Sequence, residues 1–316
     1  MFSLAELEDA RRLVHRSFPG TAQYPWPLLR KRTGVDIWVK HENHTPTGAF
    51  KLRGGLVYVE RLARERPHVR GIVSATRGNH GQSLAYAGER YGVPVKIVAP
   101  VGNSTEKNAA MRAFGARLIE HGEDFEAARQ EAERLAAAEE LEFAPSFAPD
   151  LVKGVATYSL EFFSVPDLDA MYVPIGLGSG ICGAIRTRDL LGLRTEIVGV
   201  QAEGANPYAR SFASEHMVTL NRSDTQADGI AVRQPDPTAL QIIRNGAARI
   251  VTVTDAEIAA AVRAYWADTH NLVEGAGAAP LAALLSERVS MRGKRVGLVV
   301  SGGNIDLAVF RHWVMG

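Results

Sequence analysis

The chain has 316 residues, with 36 Lys and Arg against 35 Asp and Glu, and a formal net charge of +1. Because opposite charges nearly cancel, the composition does not point to nucleic acid or a membrane surface as a partner. The sequence contains no run of about 18 apolar residues, so no membrane-spanning helix is predicted. The single cysteine, Cys182, excludes an intramolecular disulfide and a multi-cysteine metal site. We therefore expect a cytoplasmic protein of the metabolic-enzyme type.

Short β-branched runs alternate with longer helical runs along most of the chain. The amphipathic N-terminus is predicted to be a helix of the mature protein and not a signal peptide. Strands are predicted at 71–76, 93–100, 116–122, 170–176, 196–203, 249–254 and 295–303. Helices are predicted at 81–92, 104–115, 123–140, 180–192 and 255–270. The polar segment 204–248 has weak periodicity and predicts a long loop region.

Strands that alternate with helices of this length indicate right-handed crossovers and parallel sheets covered on both faces. There are too many strands for one modest sheet, so we expect an α/β protein with two domains. The large domain is predicted from residues 1–71 and 148–316, and the small domain from residues 72–147. Only a short helix is predicted after the last strand, so no regulatory domain is expected there.

Four loops at predicted strand ends carry unusual residues, and ligands of open α/β sheets bind at such ends. They are PTGAFKLRG (46–54), SATRGNHGQ (74–82), PIGLGSGICG (174–183) and SGGNIDL (301–307). In the third loop, the glycines let an anion approach the backbone N–H groups at the start of a helix, and Ser179 adds a hydroxyl donor. A turn needed only for packing would look similar. So would the phosphate loop of a nicotinamide-dependent oxidoreductase, although GLGSG lacks the third glycine of GxGxxG.

A phosphate-binding turn combined with a lysine at another strand end is what a pyridoxal phosphate enzyme requires. The lysine amine forms a Schiff base with the cofactor aldehyde, and a helix N-terminus holds the phosphate. All four loops, in this order, resemble those of the fold type II pyridoxal phosphate enzymes, specifically the serine/threonine dehydratase (threonine ammonia-lyase) and serine racemase family. The resemblance implies the tryptophan synthase beta-like fold, which has two domains with parallel-rich twisted sheets flanked by helices.

The resemblance also implies a role for each loop. Lys51 is the catalytic Schiff-base lysine, and Phe50 lies beside it at the cofactor. The residues implied in substrate binding are Thr76, Arg77, Gly78, Asn79 and His80. Asn79 would also hydrogen-bond to the phenolic oxygen of the cofactor. The other residues implied in cofactor binding are Gly176, Leu177, Gly178, Ser179, Gly180, Glu274 and Ser301, of which Gly176–Gly180 hold the phosphate and Ser301 faces the pyridine nitrogen.

We therefore expect an ammonia-lyase that converts a β-hydroxy α-amino acid, such as L-threonine or L-serine, to a 2-oxo acid and ammonia. A neutral Ser301 hydroxyl would leave the pyridine nitrogen largely unprotonated, which favours loss of a β-leaving group over aminotransferase chemistry. β-Replacement and racemisation are the alternative reactions. Arg77 stands where the racemases carry a catalytic serine, and its very high pKa makes it a poor proton donor or acceptor.

Arg77 has three further interpretations. It could pair with a second substrate carboxylate, lie over an aromatic ring, or form a salt bridge of purely structural value. Together with Tyr24 and Trp26, it leaves room for a larger or acidic substrate such as phenylserine or 3-hydroxyaspartate.

Two further expectations follow from the resemblance. Glu203 matches the acidic cation ligand of the family, but Ala209 stands where the racemases have another acidic ligand. We therefore expect no divalent metal, while room remains for a weakly held monovalent cation. A homodimer formed through the larger domain is also expected.

Overall fold

The computed structural model describes all 316 residues, which divide by backbone contacts into two units. Unit 1 comprises Met1–Phe2, Glu6–Pro19 and Thr45–Val155. Unit 2 comprises Ser3–Ala5, Gly20–His44 and Ala156–Gly316. The domain boundaries given above stay a prediction.

Ten strands and thirteen α-helices make up the chain. The strands are β1 Gln23–Tyr24, β2 Asp36–His41, β3 Ile72–Ala75, β4 Val95–Ala99, β5 Arg117–Glu120, β6 Glu142–Phe143, β7 Ala170–Pro174, β8 Glu196–Ala202, β9 Arg249–Val253 and β10 Arg295–Val300. The helices are α1 Leu4–His15, α2 Pro27–Thr33, α3 Lys51–Glu65, α4 Asn79–Tyr91, α5 Thr105–Ala113, α6 Phe125–Glu139, α7 Pro149–Phe162, α8 Ser179–Leu190, α9 Pro207–Phe212, α10 Pro237–Gly246, α11 Asp255–Thr269, α12 Gly275–Glu287 and α13 Leu307–Val309. No helix is long and apolar enough to cross a membrane.

Unit 1 contains a four-stranded, fully parallel sheet in the order β5-β4-β3-β6. All four residues of β3 are buried, as expected for a central parallel strand covered on both faces. One apolar cluster joins this sheet to α3 and α4 through residues such as Leu56, Ile72 and Leu84. The loop that follows β3 is therefore built on a rigid base.

Unit 2 contains a six-stranded sheet in the order β1-β2-β10-β7-β8-β9. Every neighbouring pair is parallel except β1 with β2, which is antiparallel. Its largest core cluster includes Ile37, Tyr172, Val198 and Leu298. The strands β7 and β10 lie side by side, so the residues after Pro174 and Val300 leave the same edge of the sheet.

The predicted α/β class with parallel-rich sheets is confirmed. The prediction of a long loop at 204–248 is wrong in part, because the segment contains α9 and α10. The start of α10 is stabilised by Asp236, whose side chain accepts a hydrogen bond from the backbone N–H of Ala239, and by Pro237 in the first turn. Leu240 and Ile243 then bury the inner face of this helix.

Candidate active site

A tight turn sets the point at which α3 begins. Thr45 accepts a hydrogen bond from the N–H of Gly48 through its carbonyl (2.8 Å), and its hydroxyl exchanges bonds with the backbone of Ala49. Gly48 has a φ of 69°, a left-handed conformation that glycine adopts without strain. The chain then enters the helix with Lys51 as its first residue.

Lys51 has an electrostatic environment unlike that of a surface lysine. The residue is only partly exposed, and its Nζ lies 5.2 Å from the centre of the Phe50 ring. Burial of the amine lowers the pKa of Lys51 from 10.5 to about 8, because the charged form loses its hydration. Roughly a tenth of this amine is therefore neutral at pH 7, compared with less than about a thousandth at the ordinary pKa, and the neutral form is what a nucleophile or base requires.

The loop after β3 presents backbone at the start of α4. The N–H of Gly78 donates to the hydroxyl of Thr76 (3.1 Å), and the first residue of the helix is Asn79. A Cβ on Gly78 would lie 2.8 Å from Cδ of Lys107, so a side chain there would have to displace the Lys107 side chain. The N-terminus of a helix suits the binding of a carboxylate, and this loop leads directly into one.

Two side chains of this loop differ sharply in exposure. Arg77 is exposed and forms no ion pair, while its backbone carbonyl accepts a hydrogen bond from Asn103 Nδ2 (3.0 Å). His80 is buried, and its Nε2 has no hydrogen-bond partner. Desolvation and the charge of Lys51 together lower the pKa of His80 to about 3, so the ring is neutral.

In unit 2, the turn between β7 and α8 is rich in glycine and leads into the start of a helix. Gly178 has a φ of 99° and directly precedes Ser179, the first residue of α8. A Cβ on Gly176 would lie 2.6 Å from the carbonyl oxygen of Gly229. The backbone carbonyl of Leu177 accepts a hydrogen bond from the Tyr208 hydroxyl (2.9 Å). The turn thus leads into a helix N-terminus, and Tyr208 holds the carbonyl of Leu177, an arrangement that suits phosphate binding.

The end of β10 brings a second group of predicted residues together. Ser301 follows the strand and is buried. The N–H of Glu274 donates to the carbonyl of Gly302 (3.1 Å), so the buried Glu274 lies beside this strand end. A Cβ on Gly229 would lie 3.7 Å from Glu274 Oε1, and Gly229 therefore links Glu274 to the glycine turn.

Sequence reasoning did not find Gly229 or Tyr208. Both belong to the segment that was predicted to be a loop, and neither lies in a motif that carries chemistry by itself. The capping signal of Asp236 and Pro237 could have revealed α10, but no pattern in the sequence connects that helix to the glycine turn.

The residues present fit pyridoxal phosphate by their chemistry. Unit 1 offers a desolvated lysine amine, and unit 2 offers a glycine turn with a hydroxyl at a helix N-terminus for a phosphate. Ser301 offers a neutral hydroxyl, which suits an unprotonated ring nitrogen. The structure contains no group of three or more His, Cys, Asp or Glu side chains that could hold a metal ion.

Comparison with known proteins agrees with this fit. Residues 17–302 match the family described as "Pyridoxal-phosphate dependent enzyme". L-threonine ammonia-lyase of Thermotoga maritima is 32% identical over 97% of this chain and 77% of its own length. L-threo-3-hydroxyaspartate ammonia-lyase of Saccharomyces cerevisiae is 31% identical over 92% of this chain and 89% of its own length. Among solved structures, processed threonine deaminase isoform 2 from Solanum lycopersicum superposes with a TM-score of 0.90 at 28% identity, over 99% of this chain and 94% of that one.

The chain belongs to the family of pyridoxal-phosphate-dependent enzymes with fold type II. The predicted resemblance to the threonine dehydratase and serine racemase group is confirmed, and so is the prediction of an ammonia-lyase, a carbon–oxygen lyase. Pyridoxal phosphate is its cofactor. The roles given to individual residues stay predictions.

Proposed function

We propose that this ammonia-lyase acts on a β-hydroxy α-amino acid, with Lys51 as the residue that binds the cofactor covalently and removes the α-proton of the substrate. The lowered pKa of Lys51, about 8 at the start of α3, is the observation that carries the proposal. A lysine of ordinary pKa would be protonated at neutral pH and could not act as a base.

The other predicted residues have roles that their local geometry supports. The first-turn N–H groups of α4 bind the substrate carboxylate, and Asn79 orients the cofactor ring. The Gly176–Gly180 turn holds the cofactor phosphate, and Ser301 faces the ring nitrogen. Pyridoxal phosphate, when bound, supplies the sink for the electrons left by α-proton removal. The β-hydroxyl leaves as water, and the released enamine hydrolyses to a 2-oxo acid and ammonia.

The visible spectrum of the purified protein tests the assignment of Lys51. Borohydride should abolish the visible absorbance and fix the cofactor on the peptide that contains Lys51, as read by mass spectrometry. L-Threonine added before reduction should change the spectrum and release a 2-oxo acid. Attachment at another lysine, or the same absorbance in a Lys51→Ala variant, would refute the assignment. Lys153→Ala is a suitable control, because Lys153 forms an ion pair with Asp150 on α7.

A specific observation favours an acidic substrate as the second candidate. The guanidinium of Arg77 is exposed and unpaired in the loop proposed to bind the substrate. It is therefore available for a bidentate bond with a second carboxylate, such as that of 3-hydroxyaspartate. The yeast relative is named for this substrate, whereas the Thermotoga relative is named for L-threonine.

Initial rates on the two substrates decide between these candidates. If Arg77 binds a second carboxylate, Arg77→Ala should lower kcat/KM for 3-hydroxyaspartate by a factor of roughly ten or more, corresponding to about 1.4 kcal/mol. The value of kcat/KM for L-threonine should stay nearly unchanged. Arg77→Lys should retain part of the preference through its charge. An equal loss on both substrates would show that Arg77 serves the loop and does not select the substrate.

The remaining expectations belong to the same proposal. β-Replacement is tested by adding sulfide during turnover and measuring cysteine formation. A monovalent cation near Glu203 is tested by comparing rates in potassium and in a bulky organic cation. The proposed homodimer is tested by light scattering, and the proposed cytoplasmic location by cell fractionation.

A further inference from the structure

The imidazole of His80 carries an unexplained buried acceptor. The residue is 5% exposed, and Nε2 has no partner. The ring also bonds to the backbone of Ala144 and Pro145. Since backbone carbonyls only accept, the other ring nitrogen, Nδ1, carries the proton, and Nε2 keeps its lone pair. Leaving such a buried acceptor unpaired lowers the stability of the fold by about 1–3 kcal/mol, so an unpaired Nε2 at this position needs a physical explanation.

Lys51 and His80 lie near the point at which α3 and α4 touch. A Cβ on Gly55 of α3 would lie 2.7 Å from the carbonyl oxygen of Ser83 of α4, so the helices touch there. Lys51 lies four residues before Gly55 on α3, and His80 lies three residues before Ser83 on α4. Each is therefore about one turn before the contact, on the same face of its helix. The charge of Lys51 acts on His80, which agrees with this proximity.

We propose that His80 is a positioning residue whose Nε2 accepts a hydrogen bond from the Lys51 amine once that amine is released from the cofactor. The inference rests on the proposed function, because it requires Lys51 to be the base. A neutral amine has two N–H bonds and one lone pair, and the chain must orient it towards the substrate α-carbon. Donation of one N–H to a fixed acceptor removes the free rotation of the amine and leaves its lone pair for the α-proton.

The fixed tautomer is central to this role. Because the backbone of Ala144 and Pro145 holds the protonated ring nitrogen, Nε2 accepts and does not donate. Burial keeps the ring neutral, so that it does not repel a protonated Lys51. The charged group acting on His80 from a neighbouring element is Lys51, while Arg77 in its own loop is exposed. A purely structural histidine would need only its bonds to the backbone.

Competitive labelling of the cofactor-free protein tests the inference without turnover. Trace acetic anhydride is applied across a pH series, and acetylation of Lys51 is followed by mass spectrometry with Lys153 as the internal reference. If Nε2 accepts from the amine, the wild-type midpoint should lie above the value of about 8 that burial alone gives. In His80→Phe it should fall lower, because the ammonium loses an acceptor that stabilises its charged form. In His80→Gln, whose amide oxygen can accept, it should stay near the wild-type value. Should the phenylalanine variant not fold, His80→Leu removes the same acceptor with a smaller side chain.

Kinetics of the holoenzyme provide the second readout. His80→Phe should lower kcat by roughly tenfold or more with little change in KM, and His80→Gln should recover part of the loss. A labelling midpoint that does not move in His80→Phe, or a glutamine variant no better than phenylalanine in both readouts, would overturn the inference. Failure of the wild type to release a 2-oxo acid would overturn the proposed function, and the labelling midpoints would still report the contact between His80 and Lys51.

Discussion

At the scale of single residues, unit 1 holds a lysine amine, that of Lys51, away from water. Its pKa is 10.5 in an unfolded chain and about 8 in the folded one. Between these values the unfolded chain binds more protons, so the free energy of unfolding rises with pH through this window. Below about pH 8 the amine is charged in both states, and the full cost of burying the charge is present.

Replacement of Lys51 should therefore stabilise the cofactor-free protein. We expect Lys51→Met to raise the free energy of unfolding at pH 7, since methionine has similar length and no charge to bury. The gain should shrink as the pH rises from about 8 towards 10.5. Urea unfolding of both proteins across this range measures the difference. A gain that is the same at pH 7 and above pH 10 would contradict a desolvated amine.

At the scale of elements, the turn before α8 combines a special backbone conformation with close packing. Gly178 has a φ of 99°, and a Cβ there would lie 2.8 Å from the Cβ of Ala239. Gly178→Ala should therefore cost about 1–2 kcal/mol for the backbone and about 1–3 kcal/mol for crowding, and should weaken cofactor binding. Gly192→Ala is the matched control at the other end of this helix, since Gly192 has a φ of 65° and nothing within 4 Å of an added Cβ.

Urea unfolding and titration with pyridoxal phosphate distinguish the two variants. Gly192→Ala should lose only the backbone part of the stability and should keep the wild-type affinity. If both variants lost stability equally and both kept their affinity, the turn before α8 would have no special role in holding the phosphate.

The same element illustrates what can be predicted from sequence. The glycines and Ser179 predict a helix start that binds an anion, because backbone geometry and a local motif determine this feature. The support from Tyr208 and Gly229 could not be predicted, since both come from a segment with weak periodicity and depend on tertiary packing. Three of the four predicted loops begin within a residue of a strand end, which is a local property, whereas PTGAFKLRG begins five residues after β2 ends at His41.

At the scale of the whole molecule, two parallel-rich sheets could be predicted, but the order of their strands could not. Strand β10 lies between β2 and β7, although more than a hundred residues separate it from either in the sequence. The pattern of apolar residues identifies a buried strand without identifying its neighbours.

Cofactor binding should stabilise the whole chain against heat. A ligand at about 100 times its Kd adds about 2.7 kcal/mol to the folded state. For 316 residues, with an unfolding entropy of about 2.1 cal/mol/K per residue, this corresponds to a rise in Tm of roughly 4 °C. Scanning calorimetry with and without pyridoxal phosphate measures the shift.

A cofactor analogue separates the covalent part of this stabilisation from the phosphate part. Pyridoxine 5′-phosphate keeps the phosphate and the ring but has no aldehyde for Lys51 to attack. We expect it to raise Tm less than pyridoxal phosphate does in the wild type, because only the non-covalent contacts remain. In Lys51→Ala the two compounds should have nearly the same effect, since neither can be bound covalently there. Equal shifts from both compounds in the wild type would show that Lys51 contributes no covalent bond, and loss of both shifts in Gly178→Ala would assign the remainder to the turn before α8.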